Sequence, residues 1–244
     1  MTLPEALAVL VAGFAAGGIN TIVGSGSLIT FPTLLAVGYP SVTANVSNGL
    51  GLTLGNISGA IGYREELRGQ RHRVLRLIWG SAAGSLTGGI LLLALPQSVF
   101  DAVVPVLILF AVALMAFKRT PKSSAQHEHL NAGLAVAFFT GIYGGYFGAA
   151  QGVIMLALFR LCFTDDLQRL NGLKNALVMA ANGVAAMLFV IVADVAWEAA
   201  ALIAVGSVVG AQVGAKYGRR LHPEVLRWIV VIVGTIVAVV LFVT

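Results

Sequence analysis

The chain has 244 residues, of which 58% are hydrophobic and only 10% charged, with a net charge of +5. A soluble domain carries about 25% charged residues, so a soluble domain is excluded, and the length leaves no room for one beside a membrane part. The basic balance is a topology signal rather than a nucleic-acid footprint, and the single cysteine, Cys162, excludes an intrachain disulfide.

Apolar runs follow one another along the chain with short connections and predict a polytopic, all-α membrane protein. They cover 4–24, 27–38, 41–63, 74–95, 98–117, 130–150, 152–163, 166–192, 197–215 and 223–243. No alternating strands of about ten residues appear, so a β-barrel is not expected. The first residues, Met1 to Glu5, carry no basic group, and a cleaved signal peptide is not expected either. Eight runs are long enough to span. The two short ones, 27–38 and 152–163, cannot cross a core of about 30 Å unless irregular backbone continues them.

The first run ends in Gly24-Ser25-Gly26-Ser27. Such a break is tolerated in lipid only where protein or a water-filled cavity satisfies the backbone. The third run follows with a polar cluster that includes Asn45, Asn48 and Asn56. Asn45 and Asn48 are three apart and share a helix face. The fourth run carries glycines at 80, 84 and 88, a ridge for close helix packing. The sixth ends in Tyr143, Tyr146 and Phe147, and the short seventh begins at Ala150-Gln151-Gly152-Val153. The eighth holds Asn171, Lys174, Asn175 and Asn182. Its first three polar residues share a face, and Lys174 sits about eight residues into the helix. Buried amides and charges in lipid need partners, so these groups face the protein interior. The ninth run repeats the glycine ridge at 206, 210 and 214.

With all ten segments crossing and both termini outside, every Lys and Arg falls on the cytoplasmic side. The outer side then receives Glu5, Asp101, Asp194 and Glu198.

Sliding the chain on itself by 126 residues matches Gly26 with Gly152, Asn45 with Asn171, Asn56 with Asn182 and Gly80-Ser81 with Gly206-Ser207. The basic stretch 64–73 meets 190–199, which holds only acidic charge. Equivalent loops thus lie on opposite sides. The expected organisation is two inverted five-segment repeats, 1–118 and 130–244, joined by a cytoplasmic linker at 119–129. Inverted repeats with broken helices mark transporters whose site forms at the midplane between the repeats.

A half-helix starting near Ser27 or Val153 is expected to offer free N–H groups and a positive dipole end, which attract anions. The candidate substrate-binding residues are Gly24, Ser25, Gly26, Ser27, Asn45, Asn48, Gln151, Gly152, Asn171, Lys174 and Asn175. Asn56 and Asn182 are expected to serve as an interhelical hydrogen-bond clamp. No carboxylate is placed at midplane and no Walker motif exists, so neither a carboxylate proton relay nor ATP hydrolysis is expected. No metal or cofactor is called for. The faint serine-hydrolase look of Gly24-Ser25-Gly26 lacks a histidine base, because every His falls in or beside a loop.

Four stretches, "INTIVGSGSLITFPTLLAVG", "TANVSNGLGLTLGNISGAIGYR", "GIYGGYFGAAQGVIMLAL" and "QRLNGLKNALVMAAN", resemble the sulfite exporter TauE/SafE family of membrane proteins. Ser25 and Ala150 stand where that family usually has glycine. The resemblance implies export or exchange of small sulfur oxyanions or organosulfonates, such as sulfite or sulfoacetate, at the cell membrane. An anion channel on the same repeat, or a transporter of other small organic anions, is the alternative. The expected partners are the small anion and the lipid bilayer. Nucleic acid is not one, and monomer and homodimer remain open.

Overall fold

The computed structural model describes residues 1–117 and 127–217, together with Trp228, Val231, Ile232 and Thr235. Most of the tenth expected segment and most of the expected linker lie outside the described residues. Within them the fold is all-helical: α1 (Leu3–Ile22), α2 (Ser27–Ala36), α3 (Ser41–Gly62), α4 (Arg71–Ala94), α5 (Gln97–Phe117), α6 (Leu130–Tyr146), α7 (Gln151–Cys162), α8 (Leu167–Val192) and α9 (Trp197–Tyr217). Among the described residues, α1, α4, α8 and α9 are long and apolar enough to cross a membrane. α3 has 22 residues, but its polar cluster lowers its hydropathy.

The short helices exist because α1 and α6 are stopped by the same device. After α1, the N–H groups of Val23 and Gly24 both donate to Ile19 O, and Gly24 turns to φ +90°. After α6, those of Phe147 and Gly148 both donate to Tyr143 O, and Gly148 turns to φ +79°. A left-handed glycine satisfying the last carbonyls is how a helix closes on itself. This places Gly24 opposite Gly148, not Ala150, and Ser27 opposite Gln151. The gapless offset of 126 is therefore corrected. The offset is 124 through the first break and 126 from α3 onward, because α7 has 12 residues where α2 has 10. Gly26 meets Ala150 in this register, and Ala150 holds a left-handed φ of +60°.

Small residues fix how the long helices pack. A Cβ on Gly13 would lie 2.9 Å from Ile203 Cα, one on Gly206 2.7 Å from Phe14 N, and one on Gly214 2.8 Å from Gly18 O. Contacts between α1 and α9 thus advance together along both helices, and the two run parallel. α4 and α6 do the same: a Cβ on Gly80 would lie 2.7 Å from Leu134 Cδ1 and one on Gly88 2.8 Å from Tyr146 N. On the glycine ridges expected on α4 and α9, Gly84, Gly88, Gly206, Gly210 and Gly214 face the backbone of the neighbouring helix, and Gly80 faces the Leu134 side chain.

Serine hydroxyls repeat the arrangement. Ser81 Oγ donates to Leu177 O at 3.1 Å, tying α4 to α8. Its counterpart Ser207 Oγ donates to Gly51 O at 3.2 Å, tying α9 to α3. Both donor and acceptor are displaced by 126 residues. Ser58 and Gln212 extend the α3–α9 seam, and Ser85 extends the α4–α8 seam. In contrast, α3 and α8 run antiparallel. Thr53 Oγ1 reaches Asn182 O, whereas a Cβ on Gly172 would meet Glu66 just beyond the end of α3.

The outcome is two packed groups. α1, α2 and α3 associate with α9, and α6, α7 and α8 associate with α4. Each half of the chain has lent its fourth helix to the other. α1, α3 and α9 point one way and α4, α6 and α8 the other. The groups meet along α3 and α8, and α5 touches α3 and α7.

Candidate functional site

The two helix breaks touch. Gly152 N donates to Gly24 O at 3.2 Å, and a Cβ on Gly24 would lie 2.6 Å from Gly152 Cα. Only glycine on both strands allows this approach. The breaks lie inside the bundle because α1 stops short. Asn20 Nδ2, in its last turn, donates to Asn56 Oδ1, and Asn56 is still six residues from the end of α3. α2 then rises about 15 Å over its ten residues, roughly half the membrane core.

Polar side chains of one group cap the cut helix of the other. Lys174 is fully buried, and its Nζ donates to Asn20 O at 3.1 Å and Thr21 O at 3.3 Å. Asn171 and Asn175 both donate to Thr21 O, at 3.4 and 3.1 Å. These three residues do share one face, and it is aimed at the negative end of α1, where cations and amide donors are favoured. On the other side, Asn45 Nδ2 donates to Tyr146 O at 3.0 Å, the last carbonyl of α6. Asn48, the positional counterpart of Lys174, instead accepts from Thr30 Oγ1 on α2. The pairing is therefore alike at Asn45 and Asn171 but differs at the next two polar positions, where Asn48 stands opposite Lys174 and Gly49 opposite Asn175.

The expectation of free N–H groups at both half-helices is corrected for α7. The amides of Gln151, Gly152, Val153 and Ile154 all donate to backbone oxygens: Gly148, Gly24 and, for the last two, Ala150. The left-handed Ala150 folds the chain back tightly enough to satisfy its own first turn. At α2, Leu28 N and Ile29 N are similarly paired with Ser25 O and Gly26 O. Gly26 N, however, has only a long contact of 3.4 Å to Asn20 Oδ1, and Ser27 N finds no acceptor among the described residues. Beside them, Ser25 is 1% exposed and its hydroxyl has no partner.

Gln151, likewise 1% exposed, leaves its Nε2 without a partner and lays its amide over Gly144. Unmade hydrogen bonds in a buried setting cost about 1–3 kcal/mol each. They are concentrated here: Asn56 Nδ2 and Asn171 Oδ1 are also unpaired. Asn182 contributes its backbone carbonyl to Thr53. The interhelical amide contact of Asn56 is with Asn20 rather than with Asn182.

The opposite wall is aromatic. Phe31 packs edge-on against Phe147, with ring centroids 5.4 Å apart, and Phe100 stacks beside both and beside Tyr146. Tyr143 turns its hydroxyl back onto Ala149 O at 2.6 Å, holding the second break rather than lining a space. Sequence reasoning missed Asn20, Thr21 and Thr30. Asn20 and Thr21 stand at the end of an apolar run where amides are rare, and that was the available signal. A cavity of about 290 Å³ lies elsewhere, at Gly62, Gln212, Ala215 and Lys216.

The arginine-bearing end of the bundle is tied by ion pairs. Arg73 on α4 binds Asp165 and, at 2.9 Å, Glu128, while Arg169 Nε reaches Asp165 Oδ1 at 3.0 Å. The Arg73 guanidinium also lies 4.7 Å from the centre of the Phe163 ring. Burial would raise the Asp165 carboxyl. The hydrogen bonds from Arg73 and Arg169, with their charges, outweigh it and hold that carboxyl below the usual carboxylate range. At the other end Ser41 donates to Asp101.

A model of the sulfite exporter TauE/SafE family matches residues 9–241. The chain is 26% identical over 232 residues to the probable membrane transporter protein ORF9 of a Sinorhizobium species, covering 94% of this chain and 89% of that one. It is 30% identical over 228 residues to a probable membrane transporter protein of Haemophilus influenzae, covering 91% and 88%. To the probable membrane transporter protein YfcA of Escherichia coli K12 it is 25% identical over 228 residues, covering 91% and 84%. No solved structure matches.

Proposed function

The chain belongs to the sulfite exporter TauE/SafE family of membrane transporters, and on that premise we propose that it carries small sulfur-containing anions by alternating access. Sulfite, sulfoacetate and related organosulfonates are the substrates of this reading. The observation that carries it is the cluster of unmade buried hydrogen bonds at Ser25 and Gln151, set where the two breaks touch and next to the buried cation Lys174. In a low-dielectric site, unpaired donors beside a lysine with no carboxylate partner among the described residues favour an anion.

In this reading Ser25, Ser27, Gln151 and the α2 backbone contact the anion. Asn45, Asn48, Asn171, Lys174 and Asn175 line its route. The protein is a multi-pass component of the cell membrane with both termini outside. Residues 1–118 and 130–244 are its inverted repeats. The opposed directions within each counterpart pair, α1 against α6, α3 against α8 and α4 against α9, support that arrangement, as does the matching pair of serine bonds. The rocking bodies are the packed groups rather than the sequence halves, since α4 and α9 have changed sides. The reading assigns transport to the chain and includes no covalent step.

Uptake of sulfoacetate and sulfite into proteoliposomes tests the site. Lys174→Ala and Gln151→Ala each remove a charged or neutral donor and are expected to weaken apparent affinity roughly tenfold and threefold. Unchanged affinity in both variants overturns the assignment.

A further inference from the structure

Asn20 links three other elements of the bundle, α2, α3 and α8. Its carboxamide oxygen is the sole acceptor at Gly26 N among the described residues, and at 3.4 Å it holds that amide only loosely. Its carboxamide nitrogen donates to Asn56 Oδ1. Its backbone carbonyl receives the Lys174 ammonium at 3.1 Å. One residue therefore stands between the positive end of α2 and the buried cation of α8. The groups around it are under-satisfied: Ser25 Oγ, Ser27 N and Asn56 Nδ2 have no acceptor among the described residues. In the other half the equivalent position is Gly144, and the amide of Gln151 lies over it instead.

We propose that Asn20 is an affinity-setting residue whose carboxamide oxygen is a placeholder for the transported anion at the α2 N-terminus. The inference rests on the anion-transport reading above. A neutral amide oxygen carries a partial negative charge and answers a helix N-terminus weakly, whereas an anion answers it fully. Empty, the protein closes the end of α2 with Asn20. Loaded, the anion takes Gly26 N, Ser27 N and Ser25 Oγ, and the Asn20 amide turns toward Asn56, whose own amide can reorient to receive it. Asn20 thus keeps the site from collapsing onto a wrong partner, at the cost of competing with the substrate.

Two variants test this with opposite signs. Asn20→Ser removes the competitor while keeping a small polar group; the KM for sulfoacetate uptake is expected to fall roughly threefold, with kcat unchanged or lower. Asn20→Asp fixes a carboxylate on the α2 end. It is expected to raise the thermal midpoint of the substrate-free protein by a few degrees, because Gly26 N and the nearby Lys174 favour the charge and Asn56 turns its unpaired Nδ2 toward it in place of Oδ1. It should also abolish the further stabilisation that sulfite or sulfoacetate gives the wild type.

A purely structural cap predicts otherwise: Asn20→Ser would lower the midpoint and leave KM in place. That result, or no rise in the midpoint of Asn20→Asp, overturns the proposal. If Asn20→Asp is stabilised while neither sulfite nor sulfoacetate shifts the wild type, the placeholder stands and the substrate reading fails.

Discussion

Substituting Gly24 by alanine brings together two penalties that the structure allows to be separated. The first is conformational. Gly24 holds φ +90°, where a side chain costs about 1–2 kcal/mol. The second is steric. The added Cβ would lie 2.6 Å from Gly152 Cα and 2.8 Å from its carbonyl carbon. Both are backbone atoms and cannot swing aside, and such overpacking costs about 1–3 kcal/mol. Gly24→Ala is thus expected to lose about 2–5 kcal/mol.

Two other positions isolate the parts. Gly38 has φ +97° with nothing within 4 Å of its Cβ position, so Gly38→Ala loses the conformational share alone. Gly152 is not in the left-handed region, and its Cβ would meet Gly24 Cα at 2.7 Å and Lys174 Cδ at 3.0 Å. Gly152→Ala therefore loses the steric share alone. Thermal unfolding of the purified protein in detergent reads all three. At roughly 2–4 °C per kcal/mol for a chain of this size, Gly38→Ala drops by about 2–8 °C and Gly24→Ala by about 4–20 °C, close to the sum of the other two. If Gly24→Ala is no worse than Gly38→Ala and Gly152→Ala is silent, the two breaks do not touch and the site has been drawn in the wrong place.

The ridge and the ion-pair network make further predictions. Gly210→Ala would set a Cβ against Phe14, 2.8 Å from its carbonyl carbon, and 3.1 Å from Gly18 N. It is expected to lower the midpoint by roughly 5–10 °C. Gly183→Ala, in the middle of α8 with open space around its Cβ position, gains helix propensity and raises the midpoint by about 1–4 °C. Asp165→Asn removes a carboxylate whose folded value is depressed. Such a group adds stability above its unfolded titration and loses it as pH falls through the folded one. The variant should therefore sit about 2–4 °C below wild type at pH 7, with the gap closing near pH 3. A gap that persists in acid points to lost packing instead.

Element positions were legible because lipid forces long apolar runs into helices. Nine of the ten expected runs correspond to α1–α9, with bounds shifted by a few residues. The shared face of Asn171, Lys174 and Asn175 was legible from helical spacing alone. The register of the breaks was not. A gapless slide paired Gly26 with Gly152 because both are glycine, whereas the backbone pairs Gly24 with Gly148 through their common turn. Two extra residues in α7 hide this, and only φ and the hydrogen bonds to Ile19 and Tyr143 expose it. The closure of the α7 amides was hidden for the same reason, since nothing in the residue type of Ala150 announces a left-handed conformation. The partners of Lys174 were also beyond reach, because carbonyls at a helix end belong to no particular residue type.

The exchange of α4 and α9 bears on how such a chain is made. Synthesis proceeds from the N-terminus, so α1 and α3 enter the bilayer long before the helix that packs between their small-residue faces has been translated. Gly13, Gly17, Gly51 and Gly55 must wait for Ile203 and Ser207. α4, in turn, is inserted with its glycines facing no partner until α6 arrives. Neither half can be finished as a unit before the other begins, and the last described helix to emerge, α9, is the one that completes the first group.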